Sequence, residues 1–326
     1  MSKQLMVCLV LVAVLGDQFM QSEGAPERPA LHTNAAYGHL DVVEVLIKKG
    51  AKVDLEDDDN RTPLHHAATN NHMKVVEFLI KKKAKVDPLD CIKRTPLHYA
   101  AMKGHLDVVK FLITNGANLD LGDLNDQTPL HHAATNNHME VVEFLIRKGA
   151  KVDPIDKQKR TPLHHAAMKG LEDVAKKIIT MAPFYQVDPI DCIKRTPLHY
   201  AAMKGLKDVA EIIITKGVNL DSRDSHDRTP LHHAAMNDHM EVVKLLIANK
   251  AEVDPRDGYK RTPLHYATEN GNSQIVQILV ENGALLTFKD NQNQTPYQIA
   301  SKNNKKELAA YLELAVYLKE GKKSQK

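Results

Sequence analysis

The sequence has no tryptophan, and only 5% of its 326 residues are aromatic. It has only three cysteines, too few for a disulfide framework. A single large core normally draws on bulky aromatic side chains. The 43% of apolar residues therefore suit many thin layers rich in leucine and alanine better than one large core.

No apolar run is long enough to cross a bilayer of about 30 Å. The longest, Leu5–Leu15, follows a lysine and precedes small residues, which is the layout of a secretory signal peptide. We expect residues 1–24 to be such a signal, with cleavage after Gly16 or Gly24, and 25–28 to be a short linker. A buried N-terminal cap is the alternative.

One stretch of twelve residues, TPLHHAATNNHM, occurs at Thr62 and again at Thr128. A related stretch, TPLHYAAMKGHL, begins midway between them, so the period is 33 residues. The Thr-Pro pair recurs, with one step of 35, at Thr62, Thr95, Thr128, Thr161, Thr196, Thr229, Thr262 and Thr295, and a degenerate copy with Leu31 and His32 in register precedes them. A fixed period of this length indicates a solenoid in which each repeat buries its apolar face against its neighbours.

Each repeat predicts two short helices. The threonine is a helix N-cap followed by proline at the first helical position. Nine residues later stands Gly, Asn or Asp, which tolerate the left-handed conformation that ends a helix. A second helix follows, with apolar residues such as Val76 and Leu79 at helical spacing. An extended arm and a turn then lead to the next threonine.

The elements TPLHxAA, G-H, VVxxLI and KGAxVD within 33 residues resemble the ankyrin repeat over about residues 29–318. The resemblance implies an all-α solenoid of stacked antiparallel helix pairs with projecting β-hairpin-like fingers. The repeats lie near residues 29–61, 62–94, 95–127, 128–160, 161–195, 196–228, 229–261, 262–294 and 295–318, and a basic polar tail, 319–326, follows them.

Two features depart from the family pattern. Where ankyrin repeats usually have glycine, two residues before the threonine, four repeats have lysine: Lys93, Lys159, Lys194 and Lys260. Lysine in a left-handed conformation costs roughly 1 kcal/mol, so either the finger geometry shifts or a function rewards these lysines. In the repeat 161–195, two extra residues lie near Pro183, which we expect to end the second helix early.

Motifs for catalysis and metal binding are missing. The sequence has no HExxH, no pair of cysteines at zinc spacing, no GxSxG and no glycine-rich phosphate loop. Seventeen of the eighteen histidines recur at fixed repeat positions, and only His226 does not. A recurring histidine indicates a structural bond to a neighbouring loop. We therefore expect no enzyme, no metal, no cofactor and no small-molecule substrate.

Cys91 and Cys192 occupy the same place in two identical DCIKR segments. Three repeats spaced about 10 Å apart would separate them by about 30 Å, far beyond disulfide reach. A secreted chain would then carry free thiols or an intermolecular disulfide, whereas a cytoplasmic chain would keep both reduced, and this argues against secretion. The sequons at Asn60 and Asn293 are compatible with export.

Binding is expected at the finger tips and along the exposed side of the first helix, which the resemblance places on one concave groove. Basic residues recur there between methionines and other apolar side chains, a composition typical of protein interfaces. The candidate residues are Arg61, Ile92, Lys93, Arg94, Met102, Lys103, Leu124, Lys159, Arg160, Met168, Lys169, Ile193, Lys194, Arg195, Met203, Lys204, Arg228, Tyr259, Lys260 and Arg261.

The sequence predicts a secreted, monomeric, non-catalytic protein that binds a protein partner. The family resemblance implies a toxin-like or effector-like role for a secreted ankyrin protein. An intracellular, cytoplasmic regulatory subunit is the first alternative. Binding of an anionic polymer, nucleic acid or glycosaminoglycan, through the lysine and arginine rows is the second, although the net charge of +3 does not by itself favour it.

Overall fold

The structure is a computed structural model that describes residues 30–181 and 187–323, with side chains up to residue 318 at the carboxyl end. The predicted signal, linker and cleavage sites lie outside the described residues. Of the predicted tail, 319–326, only the backbone of the first residues is described, and it continues the last helix.

The chain divides into two compact units, Met1–Lys157 and Gln158–Lys326. The described helices of the first unit are α1 (Ala30–Tyr37), α2 (Leu40–Lys48), α3 (Pro63–Thr69), α4 (Met73–Lys81), α5 (Pro96–Lys103), α6 (Leu106–Thr114), α7 (Pro129–Thr135) and α8 (Met139–Arg147). Those of the second are α9 (Pro162–Lys169), α10 (Glu172–Met181), α11 (Pro197–Lys204), α12 (Lys207–Thr215), α13 (Pro230–Met236), α14 (Met240–Ala248), α15 (Pro263–Asn270), α16 (Ser273–Glu281), α17 (Pro296–Lys302) and α18 (Lys306–Lys323).

Helix pairs stack within each unit. The first helices pack on one another in the order α1, α3, α5, α7 in the first unit and α9, α11, α13, α15, α17 in the second, and each second helix packs against the first helix of its own repeat. Leucines and alanines such as Leu64, Ala67 and Ala68 are fully buried between them. No strand occurs among the described residues. The predicted all-α stack of helix pairs is confirmed.

The finger turns project between successive repeats, and each is closed by its own backbone. In the first complete one, Asp57 N–H donates to the carbonyl of Arg61 at 2.9 Å, and Asn60 N–H donates to that of Asp57 at 2.9 Å. Adjacent turns are also bonded to each other, as where Leu124 N–H meets the carbonyl of Ile92 at 2.8 Å. Backbone hydrogen bonds thus link adjacent finger turns as they link the strands of a β-sheet, although the turns described do not form regular strands.

The recurring histidine closes the N-terminus of the first helix in each repeat from Thr62 to Thr262. Nδ1 of His65 accepts the backbone N–H of Thr62 at 3.0 Å, so Nε2 carries the proton and donates to the carbonyl of Arg94, in the next finger, at 2.9 Å. Burial lowers the pKa of His65 to about 4, which keeps the ring neutral. The histidines at this position are therefore structural, as the sequence indicated, and they connect neighbouring repeats.

The left-handed positions lie where the residue types predicted them. Nine residues after the threonine, φ is positive throughout, from 57° at Asn304 to 85° at Gly271. The finger lysines have φ of 58° or 59°, as at Lys93, against 60° at Asn60. The geometry has not shifted to relieve the lysines, so the strain predicted from the sequence is present.

The prediction that Pro183 shortens the second helix of its repeat is wrong. Helix α10 has ten residues, whereas its counterpart α4 has nine. Proline disturbs the backbone at its own position and the one before it, so a helix can reach Met181 unhindered. Residues 182–186, which include Pro183, lie outside the described residues.

Candidate partner-binding faces

In each unit the finger turns and the carboxyl ends of the first helices form what we call the finger face. Arg261 of a finger turn and Glu269 near the end of α15 illustrate their proximity, because a guanidinium nitrogen of Arg261 lies 2.8 Å from the carboxylate. Side chains of a finger turn and of the first helix that follows it therefore lie on one continuous surface.

A buried aspartate organises each finger turn. In one, Oδ1 of Asp90 accepts the N–H groups of Ile92 at 3.0 Å and Arg94 at 2.7 Å, while Oδ2 accepts the hydroxyl of Tyr99 at 2.5 Å. In other repeats histidine replaces this tyrosine, as where Nε2 of His132 lies 3.0 Å from Asp123. The aspartate thus holds its finger against the first helix that follows.

The arginines of the finger face join successive repeats. Nε of Arg94 lies 3.1 Å from Oδ2 of Asp123, and its guanidinium lies 5.8 Å from the ring of Tyr99. The equivalent pairs are Arg61–Asp90, Arg160–Asp191, Arg195–Asp224, Arg228–Asp257 and Arg261–Asp290, with separations from 3.2 to 3.6 Å and arginine side-chain exposures from 17% to 28%. These arginines neutralise buried carboxylates and are only partly available to a partner.

The low pKa of Asp123 follows from these contacts. Burial alone would raise the pKa of Asp123. Hydrogen bonds from His132, from the N–H of Asn125 and from Arg94 outweigh burial and hold the pKa well below its usual range. The Asp123 carboxylate is therefore charged at neutral pH, and Arg94 faces a fixed negative charge.

The other predicted site residues face solvent to different degrees. The seven lysines, at 93, 103, 159, 169, 194, 204 and 260, are exposed. Leu124 and Tyr259 are 44% and 51% exposed. Ile92, Ile193, Met102, Met168 and Met203 are half-buried. The first unit thus carries seven of the twenty candidates, from Arg61 to Leu124, and the second carries the other thirteen.

Sequence reasoning missed the finger aspartates and their partners on the first helix. The signal was available, since an aspartate stands five residues before every threonine of the motif, from Asp57 to Asp290. In addition, the residue after the histidine of the TPLH motif is His or Tyr in every repeat from His66 to Tyr266. Both types can donate a hydrogen bond to a carboxylate.

An open cleft lies on the finger face of the second unit. Arg228, Tyr259, Arg261, Tyr266 and Asp290 contribute to its lining. The guanidinium of Arg228 lies 5.8 Å from the ring of Tyr259 and 5.5 Å from that of Tyr266. The cleft offers a partner an exposed aromatic ring beside a partly exposed cation.

Cys91 and Cys192 are both free and exposed. Within the part of the chain that the structure describes, no group of three or more His, Cys, Asp or Glu residues is arranged to hold a metal ion. None of the helices described there combines the length and the apolar character that a membrane span requires.

Stacked helix pairs joined by finger turns define a repeat protein. A family model described as "Ankyrin repeats (3 copies)" matches residues 31–123, 115–188, 182–257 and 242–315. The chain belongs to the ankyrin-repeat family, which serves protein–protein interaction and is typically non-catalytic.

A solved structure supports the same assignment. The chain resembles the crystal structure of the human ASB11 ankyrin repeat domain, with 28% sequence identity and a TM-score of 0.61, over 68% of this chain and 98% of that one. No match was found among the curated proteins.

Proposed function

We propose that this protein is an exported, non-catalytic binder that holds a protein partner on its finger faces. The observation that carries the proposal is a set of side chains that the stack does not use. Leu124 and Tyr259 are large, apolar or aromatic, and about half exposed. Exposed side chains of this type beside arginine are enriched at the centres of protein interfaces.

The binding test must avoid the arginines, because their replacement would damage the stack as well as the face. A pull-down with the tagged chain supplies a partner, and its affinity is then measured for Leu124→Ser combined with Tyr259→Ser. We expect Kd to rise at least about tenfold, since interface anchors contribute about 2 kcal/mol or more each.

The matched control replaces one leucine and one tyrosine of α18, Leu314→Ser and Tyr317→Ser, which are exposed by 56% and 74%. The control should bind like the wild type. Unchanged binding of the Leu124 and Tyr259 variant would place the partner elsewhere and refute the proposal.

Export rests on the basic start and the apolar run Leu5–Leu15. A tagged chain expressed in a eukaryotic secretory cell should appear in the medium without its first 16 or 24 residues. Peptide mapping of the secreted protein would then show whether Asn60 and Asn293 carry glycans. Retention inside the cell with Met1 intact would refute export.

The second candidate is an intracellular regulatory subunit of the ankyrin type. The exposed free thiols of Cys91 and Cys192 favour it, because exposed unpaired cysteines persist most readily in a reducing compartment. If the chain is exported, an intermolecular disulfide through one of these residues is the alternative to a free thiol. Electrophoresis of the secreted chain without reductant separates a monomer from such a dimer.

A further inference from the structure

A basic block, KRTPLHxAAMKG, occurs three times in the sequence, at residues 93–104, 159–170 and 194–205. The second and third copies belong to consecutive repeats of the second unit, in which α9 packs against α11. Each copy places one lysine at the finger tip and another at the end of the first helix. We call the resulting four residues, Lys159, Lys169, Lys194 and Lys204, the basic patch.

The four lysines are exposed and lie on neighbouring repeats. The two finger turns are bonded directly, since Cys192 N–H donates to the carbonyl of Gln158 at 2.9 Å. None of the four lysines forms an ion pair with another described residue. The buried carboxylates of Asp191 and Asp224 lie 3.5 and 3.3 Å from Nε of Arg160 and Arg195, respectively. The positive charge of the patch is therefore not neutralised by the fold.

Two of these lysines are held in a strained conformation. Lys159 and Lys194 have φ of 58° and 59°. The equivalent residue of the next repeat, Asp227, has the same angle but belongs to a residue type that tolerates it. Asparagine or aspartate at these exposed positions would relieve the strain. Because lysine stands there instead, we infer that its side chain serves a purpose other than stabilising the fold.

The patch is short and has apolar side chains within it. The next repeat has Asp227 at the finger tip and Asn237 beyond the helix end, so the run of cations spans two repeats, about 20 Å. Half-buried Met168, Met203 and Ile193 belong to the same turns and helix ends. A polyanion that tracks a continuous row of cations would meet a carboxylate after two repeats, whereas a short peptide segment would not.

We propose that the basic patch binds an acidic segment of the protein partner, with carboxylates at the lysines and apolar side chains against the methionines and Ile193. The proposal rests on the proposed function, since it names the chemistry of the partner that the finger face of the second unit receives. Charge complementarity of this kind sets specificity and association rate.

The test uses a substitution that already occurs at the equivalent positions of other repeats in this chain. Asparagine occupies the finger-tip position at Asn60 and Asn293, and it occupies the helix-end position at Asn70 and Asn136. Replacing all four patch lysines by asparagine removes the charge, relieves the strain at positions 159 and 194 and preserves the fold. All proteins are made in bacteria, so that the Asn-Arg-Thr sequons created at 159 and 194 stay unglycosylated. The control removes four exposed lysines from second helices instead, by substitution with glutamine: Lys74, Lys81, Lys207 and Lys244.

The probe is a short fluorescein-labelled peptide in which Glu alternates with Leu, with a Gln-for-Glu peptide for comparison. We expect the Glu peptide to bind the wild type and the control alike, and the Lys→Asn variant at least about tenfold more weakly, with binding to the wild type falling steeply as salt rises. Equal binding of the Glu and Gln peptides, or undiminished binding by the Lys→Asn variant, would overturn the proposal.

Two further arms separate this proposal from its alternatives. A heparin fragment that binds through the patch while the Glu peptide does not would overturn it in favour of an anionic polymer. A captured partner whose affinity falls with the Leu124 and Tyr259 changes but not with the Lys→Asn changes would refute the acidic segment and leave the proposed function standing. A partner insensitive to both sets would refute the proposed function itself.

Discussion

The guanidinium of Arg94 donates from Nε to Oδ2 of Asp123, 29 residues further along the chain, at 3.1 Å. The same oxygen accepts Nε2 of His132, so a buried carboxylate joins a finger turn to the turn before it and to the helix after it. Inter-repeat stability in each unit therefore depends on polar contacts at the finger face as well as on the leucine and alanine layers beneath.

Replacing Arg94 tests this contact. Arg94→Ala should lower the free energy of unfolding by about 2–4 kcal/mol, because it leaves Asp123 charged, buried and short of one partner. Arg94→Gln should cost less, since glutamine stands at the same position in Gln127 and reaches Asp156 at 3.4 Å. Urea denaturation followed by circular dichroism measures both. Equal losses for the two variants would contradict the role of the hydrogen bond.

Alanine substitutions at two glycines distinguish the cost of backbone strain from the cost of a steric clash. A Cβ on Gly104, where φ is 75°, would lie 2.4 Å from Nδ1 of His138, whose Nε2 donates to the carbonyl of Met102 at 3.0 Å. Gly116, at φ 92°, has no such neighbour within 4 Å. Gly116→Ala should cost about 1 kcal/mol, and Gly104→Ala at least about 1 kcal/mol more, because the ring must move and its hydrogen bond is lost. Matching unfolding free energies for the two variants would show that the His138 contact carries no weight.

The sequence predicted the local backbone geometry of a repeat well, but it did not predict which partners the charged side chains have. Thr-Pro, the left-handed residues and the capping histidine are properties of one repeat, so their chemistry could be derived from a single copy. The role of Arg94 could not, because a cation that recurs every 33 residues has the same pattern whether it faces a partner or a carboxylate of the next repeat. Only the distance to Asp123 distinguishes these two cases.

Sequence reasoning also missed the interchange of Tyr99 and His132 at equivalent positions. Aromatic and imidazole side chains look different in a sequence, yet both donate one hydrogen bond to a finger aspartate. The recurring aspartate carried a signal for this shared role, and the positions of Asp90 and Asp123 beside the two side chains establish it. The predicted binding residues themselves remain predictions.

The strained lysines predict a stabilising substitution. Lys93→Asn should raise the free energy of unfolding by up to about 1 kcal/mol, because asparagine accepts φ near 59° more readily than lysine does. Lys103→Asn removes the same charge from the end of α5 without a left-handed residue, and it should be neutral or slightly destabilising. Urea unfolding of the two variants decides the point. A stabilisation common to both would attribute the gain to charge and not to backbone strain.

The capping histidines predict a loss of stability in mild acid. Burial lowers the pKa to about 4 at His65, His98, His164, His199 and His232. A histidine in the unfolded chain has a pKa of about 6.5. Between these two values the unfolded chain binds more protons, so the free energy of unfolding falls as the pH falls. Each such histidine contributes a slope of about 1.4 kcal/mol per pH unit in that window. Below pH 4, protonation of Asp123 and Asp224, whose pKa values are lowered in the folded state, removes further stability.

The substitution His98→Gln removes one of these titrating groups and so measures its contribution. In the last repeat Gln298 occupies this position and accepts the N–H of Thr295 at 2.9 Å, so glutamine can close the helix terminus without titrating. The variant loses the bond from His98 to the carbonyl of Gln127 and should be less stable at pH 7 by about 1 kcal/mol. Its stability should fall less steeply than that of the wild type between pH 6.5 and 4, so the two curves converge in acid. Parallel curves in pH-dependent urea unfolding would mean that His98 is not the group that takes up the proton.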